Sequence, residues 1–265
     1  MISNEQLVSQ AFSVQSTVFD QLNDENKLTH HLRTIFREEV MAQASSSSRI
    51  LELNCGTGID SIYFAQRNMK MLSIDNAAGM LDKLNCKIQQ QNLQHSICTR
   101  HCSFNELYKL GNQKFDYIIS NFGGLNCTDD LNGVLLQLKN CLTDEGKLTL
   151  VIMPKVSPWE LLMILKCRFR TAFRRFRKRA QAHIEGVRFS VYYYNPSYVI
   201  QRLKNDFDVL TLKGIYFAVP PEFYQNFVER YPRMYTLLQN VENKLSNYFP
   251  FNRWCDHYLI TLKKK

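Results

Sequence analysis

The 265-residue chain is poor in the features that mark special classes of protein. No apolar run reaches the roughly 18 residues that a membrane span needs. The first residues, Met1-Ile2-Ser3-Asn4-Glu5, carry no basic cluster followed by an apolar stretch, so no secretory signal is expected. No Cys-x-x-Cys pair occurs: the cysteines stand at 55, 86, 98, 102, 127, 141, 167 and 255, mostly inside apolar patterns. That distribution argues against a metal site and for buried free thiols in a reducing cytoplasm. What is present is ordinary. A hydrophobic content of 45% with 22% charged residues suits a soluble globular protein with one large core, or one core plus a lid.

Acidic residues are missing from one stretch in particular. Residues 166–179 hold Lys166, Arg168, Arg170, Arg174, Arg175, Arg177, Lys178 and Arg179 and no acid, against a net charge of +9 for the whole chain. The rest of the chain is therefore nearly neutral. Leu162, Leu165, Phe169, Phe173 and Phe176 recur there at spacings of three and four, which predicts one long helix over 158–182 with a single apolar stripe. Three uses of it compete. The stripe packs on the domain and the arginines are solvated; or the helix faces a lipid or carrier-protein surface, suiting a lipophilic or carrier-bound ligand; or it grips a nucleic acid backbone. Aromatics on the buried stripe do not serve as stacking platforms, which ranks nucleic acid last.

Residues 5–44 carry helical spacing, broken near Asn23-Asp24, and Ser45 to Ser48 form a polar linker. Together they set off an N-terminal helical unit, 1–48, expected as a cap on the substrate side of the domain that follows. Apolar strands are expected at about 49–54, 70–75, 96–100, 115–121 and 146–153. Amphipathic helices fall between them at about 58–67, 77–91 and 129–142. Strands alternating with helices of this length imply an α/β fold with a parallel sheet, here over 49–154. After Pro154 the pattern predicts a strand at 187–194, a helix at 196–204 and strands at 208–218 and 254–263. A helical pair broken near Pro232 occupies 221–247.

The most informative run is Ile50-Leu51-Glu52-Leu53-Asn54-Cys55-Gly56-Thr57-Gly58-Ile59-Asp60. An apolar strand ends in a small-residue turn and opens a helix, the device that brings backbone close to a nucleotide-like ligand in doubly wound folds. The glycines are two apart, which departs from the dinucleotide fingerprint. A carboxylate four residues before them suits a cationic or amine-bearing ligand better than a pyrophosphate. At these residues the chain resembles the class I S-adenosylmethionine (SAM)-dependent methyltransferases, of the small-molecule, ubiquinone/menaquinone-methyltransferase-like type. Their first motif reads acid-x-Gly-x-Gly-x-Gly. Asn54 replaces the first glycine, and asparagine tolerates positive φ well enough to keep the turn.

The resemblance implies a doubly wound, seven-stranded, Rossmann-like sheet with an antiparallel last strand and helical lid insertions at 158–182 and 220–250. It implies SAM as cofactor, leaving S-adenosylhomocysteine (SAH) as product. The turn contributes Glu52, Asn54, Cys55, Gly56 and Gly58. Asp75, 17 residues after Gly58 at the tip of the second strand, accepts the ribose hydroxyls, with Asn76 and Met80 beside the adenosine; the competing reading makes Asp75 a helix N-cap. Where many relatives keep an acid for the adenine amino group this chain has Ser103, followed by Phe104. Asn121 and Phe122, after strand four, lie beside the transferred methyl.

That fourth loop, Ser120-Asn121-Phe122-Gly123, lacks the Asn/Asp-Pro-Pro-aromatic tetrapeptide of adenine amino methyltransferases. It also lacks the paired glutamates of arginine methyltransferases, and its Cys127 has no neighbouring proline as RNA cytosine-C5 enzymes require. What remains is a small-molecule enzyme, expected to act on an apolar or aromatic acceptor, with oxygen favoured over carbon or nitrogen. An antiparallel last strand starts at the ligand end of the sheet, which nominates His257 as general base with Asp256 orienting it; the competing reading is a sheet histidine bonded to a neighbour. His183 is a weaker rival base. Tyr192, Tyr193 and Tyr194, and the aromatics Phe217, Phe223, Tyr224, Phe227, Tyr231 and Tyr235 of the second insertion, are expected to line the acceptor pocket. Two rival functions stay open: RNA methylation through the basic 166–179 segment, and SAM binding without catalysis.

Overall fold

A computed structural model of the chain describes residues 2–265. Three helices lead, α1 (Asn4–Gln15), α2 (Phe19–Asp24) and α3 (Lys27–Gln43). A reciprocal cap starts α1: the Gln6 amide donates to Ser3 Oγ and the Ser3 amide to Gln6 Oε1. The alternating region follows as β1 (Arg49–Leu53), α4 (Ile59–Ala65), β2 (Lys70–Asp75), α5 (Ala78–Gln90), β3 (Ile97–His101), β4 (Phe115–Ser120), α6 (Leu131–Cys141) and β5 (Leu142–Ile152).

The C-terminal part contributes short helices α7 (Pro158–Leu161) and α8 (Phe169–Ala172), strands β6 (Ala180–Ile184) and β7 (Val187–Val191), and helix α9 (Pro196–Leu203). Strand β8 (Phe207–Ile215), helices α10 (Gln225–Arg230) and α11 (Pro232–Leu245), and strand β9 (His257–Lys264) complete it.

Seven strands form one sheet in the order β3-β2-β1-β4-β5-β9-β8. The first five are mutually parallel, and β9 runs antiparallel between β5 and β8. Helices cover both faces, so strand side chains of either parity are buried and β1 reads as a nearly continuous apolar run. Leu51 and Leu53 pack with Ile118, Leu148 and Leu150 on the face that α6 and α9 cover. Ile50 packs with Met71, Tyr117, Ile119 and Val151 on the other, against Phe36 of α3, Phe64 of α4 and Leu84 of α5. The winding direction reverses at β1, with β2 and β3 on one side and β4 and β5 on the other, and this switch in strand order opens a crevice at the carboxyl ends of the parallel strands.

The expected helix over 158–182 is not formed. The chain breaks at Cys167, whose φ is +53°, and again at Phe173 and Arg177. The cause is an ion cluster. Arg174 forks onto Glu160 (Nε to Oε2 2.8 Å, Nη2 to Oε1 2.7 Å), and Arg175 bonds Glu160 Oε1 at 2.7 Å and Asp256 as well. A straight helix would hold residues 160 and 174 about 21 Å apart along its axis, so the chain must fold back. Residues 180–182, the end of that expected helix, belong instead to β6, which forms a hairpin with β7. This hairpin stays outside the seven-stranded sheet, so the strand expected at 187–194 adds nothing to it. It packs on α1 through Ala11, Phe189 and Val191.

The second insertion is bound elsewhere than expected. Glu242 of α11 accepts the backbone N–H groups of Tyr216, Ala218 and Val219 at 3.0 Å each and faces His31 Nε2 of α3 at 3.2 Å. That tether lays α10 and α11 along α3.

Candidate cofactor and acceptor site

Three residues of the turn after β1 take left-handed backbone: Asn54 (φ 44°), Gly56 (φ 57°) and Gly58 (φ 77°). Asn54 does more than imitate glycine. Ser120 Oγ donates to its Oδ1 at 2.7 Å and its Nδ2 donates to the Asn121 carbonyl at 3.1 Å, which ties the β1 turn to the β4 loop. Gly58 is required twice over, because a Cβ there would stand 2.1 Å from Leu84 Cδ1 in addition to the positive φ. The Gly56 amide donates to Asp75 Oδ2 at 2.8 Å, and the Ala77 amide donates to Asp75 Oδ1 at 2.8 Å. The carboxylate thus joins the tips of β1 and β2 and makes no side-chain cap on α5, which starts at Ala78 from Ala77.

These groups surround a cavity at the crevice. Of the residues expected to hold a cofactor, Glu52, Asn54, Cys55, Gly56, Asp75 and Asn76 line it, and so do Met80, Phe104, Asn121 and Phe122. Two do not. Gly58 acts through packing, as above, and Ser103 caps the turn after β3, its Oγ accepting from the Asn105 amide at 3.0 Å. Asp256 and His257 also lie outside the cavity lining. Asp256 is buried and accepts from Ser157 Oγ at 3.0 Å and from Arg175; burial would raise its pKa, but the Arg175 guanidinium outweighs that and holds it well below the usual range. His257 Nδ1 is 3.0 Å from Asp256 Oδ2, and its ring packs edge-on to Tyr216 at 6.0 Å. As placed, Asp256 anchors the first insertion through Ser157 and Arg175.

His183 stands in the β6–β7 hairpin, away from the lining, as are Tyr192, Tyr193 and Tyr194. None of the aromatics named for the second insertion lines the cavity: Phe217 packs on Phe251, ring centroids 4.8 Å apart, and Phe223 and Tyr224 border a separate depression beside Trp159.

The cover comes instead from the N-terminal helices. Val8, Ser9 and Phe12 of α1 and Phe19 of α2 line the cavity, and a Cβ on Gly56 would meet the Phe19 ring at 3.7 Å. Polar contacts hold the cover down. Thr57 Oγ1 donates to Asp20 Oδ1 at 2.6 Å, Asp20 Oδ2 pairs with Lys87 Nζ at 2.6 Å, and Ser9 Oγ donates to the Asn76 carbonyl at 2.6 Å. Gly79 lets the helices approach, since a Cβ there would lie 2.6 Å from the Ser13 carbonyl oxygen.

A second wall is charged. Arg33 of α3 donates to Asp60 Oδ2 at 2.6 Å, Arg37 Nε donates to Asp60 Oδ1 at 2.7 Å, and Asn121 Nδ2 to Asp60 Oδ2 at 3.1 Å. The Arg33 guanidinium also stacks over the Phe122 ring, 4.6 Å from its centroid. Burial works to raise the Asp60 pKa, but Arg33 and Arg37 prevail and keep it below the ordinary value. Glu52 has no cation in contact. It accepts from Ser61 Oγ and, at 3.3 Å, from Ser73 Oγ, and burial followed by the nearby Asp60 charge pushes its pKa up to about 8. Burial likewise pushes the Cys127 thiol up to about 12.

Residues 50–146 match the family described as a methyltransferase domain. This stretch is a methyltransferase domain, and the seven-stranded sheet built around it has the class I methyltransferase fold. Solved structures agree in fold. A putative S-adenosylmethionine-dependent methyltransferase from Listeria monocytogenes superposes with a TM-score of 0.60 at 15% identity, over 89% of this chain and 99% of that one. The 1,6-didemethyltoxoflavin-N1-methyltransferase of Burkholderia thailandensis, solved with its acceptor and SAH, gives 0.58 at 12% identity over 98% and 87%. The geranyl diphosphate C-methyltransferase of Streptomyces coelicolor A3(2), solved with Mg2+, geranyl diphosphate and SAH, gives 0.57 at 11% identity over 89% and 82%. No curated protein sequence matches the chain.

Proposed function

We propose that the domain transfers the methyl group of SAM to the oxygen of a small, mostly apolar acceptor held under α1 and α2. The observation that carries this reading is Asp75. Its carboxylate stands at the cavity, oriented by two backbone N–H donors that leave lone pairs for a pair of ribose hydroxyls. Glu52, at the floor of the same turn, suits the ammonium of the methionine moiety. Phe12, Phe19 and Phe122 supply apolar wall for the acceptor, and Arg33 supplies one polar group beside it.

The chemistry is a direct displacement: the sulfonium–methyl bond breaks as the acceptor–methyl bond forms, leaving a neutral thioether and an acceptor that sheds its proton. Alignment of the two reactants can contribute about 7–11 kcal/mol. A guanidinium at the acceptor wall favours a hydroxyl as its oxyanion, so an acidic phenol or enol needs no side-chain base. Two relatives of this fold act on nitrogen and on carbon by their names, so the acceptor atom rests on Arg33.

The test is calorimetric titration of SAM and SAH into wild type, Asp75→Ala and Asp75→Asn. Binding to wild type that weakens at least tenfold (about 1.4 kcal/mol) in both variants supports the cofactor site. Absence of binding to wild type overturns it. Incubation with methyl-labelled SAM in cell extract, followed by solvent partition, then finds the acceptor; label confined to the aqueous phase would refute an apolar one.

A further inference from the structure

The first insertion is turned inside out relative to a segment surrounded by water. Its buried side chains are charged: Arg175 and Glu160 are 2% and 3% exposed, and Arg175 bridges Glu160 to Asp256. Its large apolar side chains face outward. Leu162, Leu165, Phe169, Phe173 and Phe176 are 47–82% exposed, with Leu165 at the top of that range. Leu162 and Leu165 share one short turn and the three phenylalanines lie on and between the next two, so all five protrude. Among them stand Lys166, Arg168, Arg170, Arg177, Lys178 and Arg179, all exposed, and among the described residues none of the six pairs with a carboxylate. The stripe expected to pack on the domain is therefore free.

We infer that residues 162–179 dock the protein on an anionic lipid surface, the apolar side chains entering the headgroup boundary and the six cations lying against lipid phosphates. Protruding hydrocarbon rimmed by Lys and Arg is what an interfacial anchor needs, and a patch of this kind on a soluble domain marks an interaction site. Charge complementarity selects the occupant. A second copy of the chain would bring six like charges against six. A nucleic acid strand would use the cations and stack on the phenylalanines, but it has no use for Leu162 and Leu165, which offer no π-face. Among the described residues no helix is long and apolar enough to cross a membrane, so the contact is peripheral. The inference does not rest on methyl transfer, although an apolar acceptor would be reached most directly from such a surface.

The experiment is sedimentation of the full chain with vesicles of phosphatidylcholine alone and of phosphatidylcholine mixed equally with phosphatidylglycerol, without SAM. Wild type should bind the anionic vesicles, and high salt should weaken that binding. A cation near an anionic surface is worth about fivefold in affinity. The variant R170Q/R177Q/K178Q/R179Q should therefore lose about a hundredfold or more. The variant L165S/F169S/F173S should lose binding at high salt while keeping some at low salt. SAH titration of both variants checks that the domain is intact and separates this result from failure of the cofactor site. No wild-type binding to anionic vesicles overturns the proposal, as do variants that bind like wild type. Displacement from vesicles by single-stranded RNA, or by an acidic acyl carrier protein that binds more tightly, reassigns the surface and overturns it too.

Discussion

Glu52→Gln should change how stability depends on pH, in a direction the structure dictates. The Glu52 carboxyl sits beneath the β1 turn with two hydroxyl donors and no cation, and its pKa is pushed from 4.5 up to about 8. In the unfolded chain it ionises near the lower value. Between these values the folded protein holds one more proton than the unfolded chain, so stability falls as pH rises. The slope is about 1.4 kcal/mol per pH unit, and the total reaches about 5 kcal/mol by pH 8, after which it stays flat. Glutamine keeps an oxygen for Ser61 and Ser73 and cannot ionise. The stability of Glu52→Gln relative to wild type should therefore rise by about 3 kcal/mol between pH about 6 and about 8, and then level off. Urea denaturation of both proteins without ligand across that range measures it. Parallel profiles would mean that Glu52 ionises normally, and that water or a cation reaches it.

Gly58→Ala combines a left-handed backbone worth about 1–2 kcal/mol with overpacking against Leu84 worth about 1–3 kcal/mol. Thermal and urea unfolding should show a loss of about 2–5 kcal/mol, and the double variant Gly58→Ala/Leu84→Ala should be less damaged than the sum of its parts. Asp60→Asn strips the buried partner from Arg33 and Arg37 and should cost about 3–5 kcal/mol in urea unfolding; a cost below about 1 kcal/mol would mean that the pair is solvated. Asp75→Ala and the vesicle variants, described above, complete the set.

The doubly wound region was legible because its signals are local. Strands buried on both faces read as apolar runs, and the turn at 54–58 announces itself by residues that accept positive φ. What was not legible depends on partners far away in sequence. A stripe at helical spacing predicts a helix over 158–182, yet nothing in that spacing says that Glu160 and Asp256 will capture Arg174 and Arg175 and fold the segment back. Residues 1–48 are legible as a cap, but amphipathic spacing does not say that Phe12 and Phe19 are the side chains that line the cavity. Arg33 carries no local signal in the sequence, because its partner, Asp60, lies 27 residues on. Asp60 itself closed the motif run and could have been singled out as a carboxylate after the turn. His257 was placed near the site by strand polarity, which fixes the end of the sheet but not the layer into which a side chain points.

The substitution of Asn54 for glycine has a consequence for variation in this chain. A glycine at that position would leave the β1 turn and the β4 loop as two independent walls. The asparagine amide spans them, with one hydrogen bond to each of two successive residues, Ser120 and Asn121. It also occupies the space where a Cβ on Gly124 would fall, 2.4 Å from Asn54 Cγ. Residues 54 and 124 therefore constrain each other: a side chain gained at one must be given up at the other. Reshaping the acceptor side through the β4 loop would disturb the donor side by the same movement, so selectivity and cofactor affinity are expected to change together in this chain.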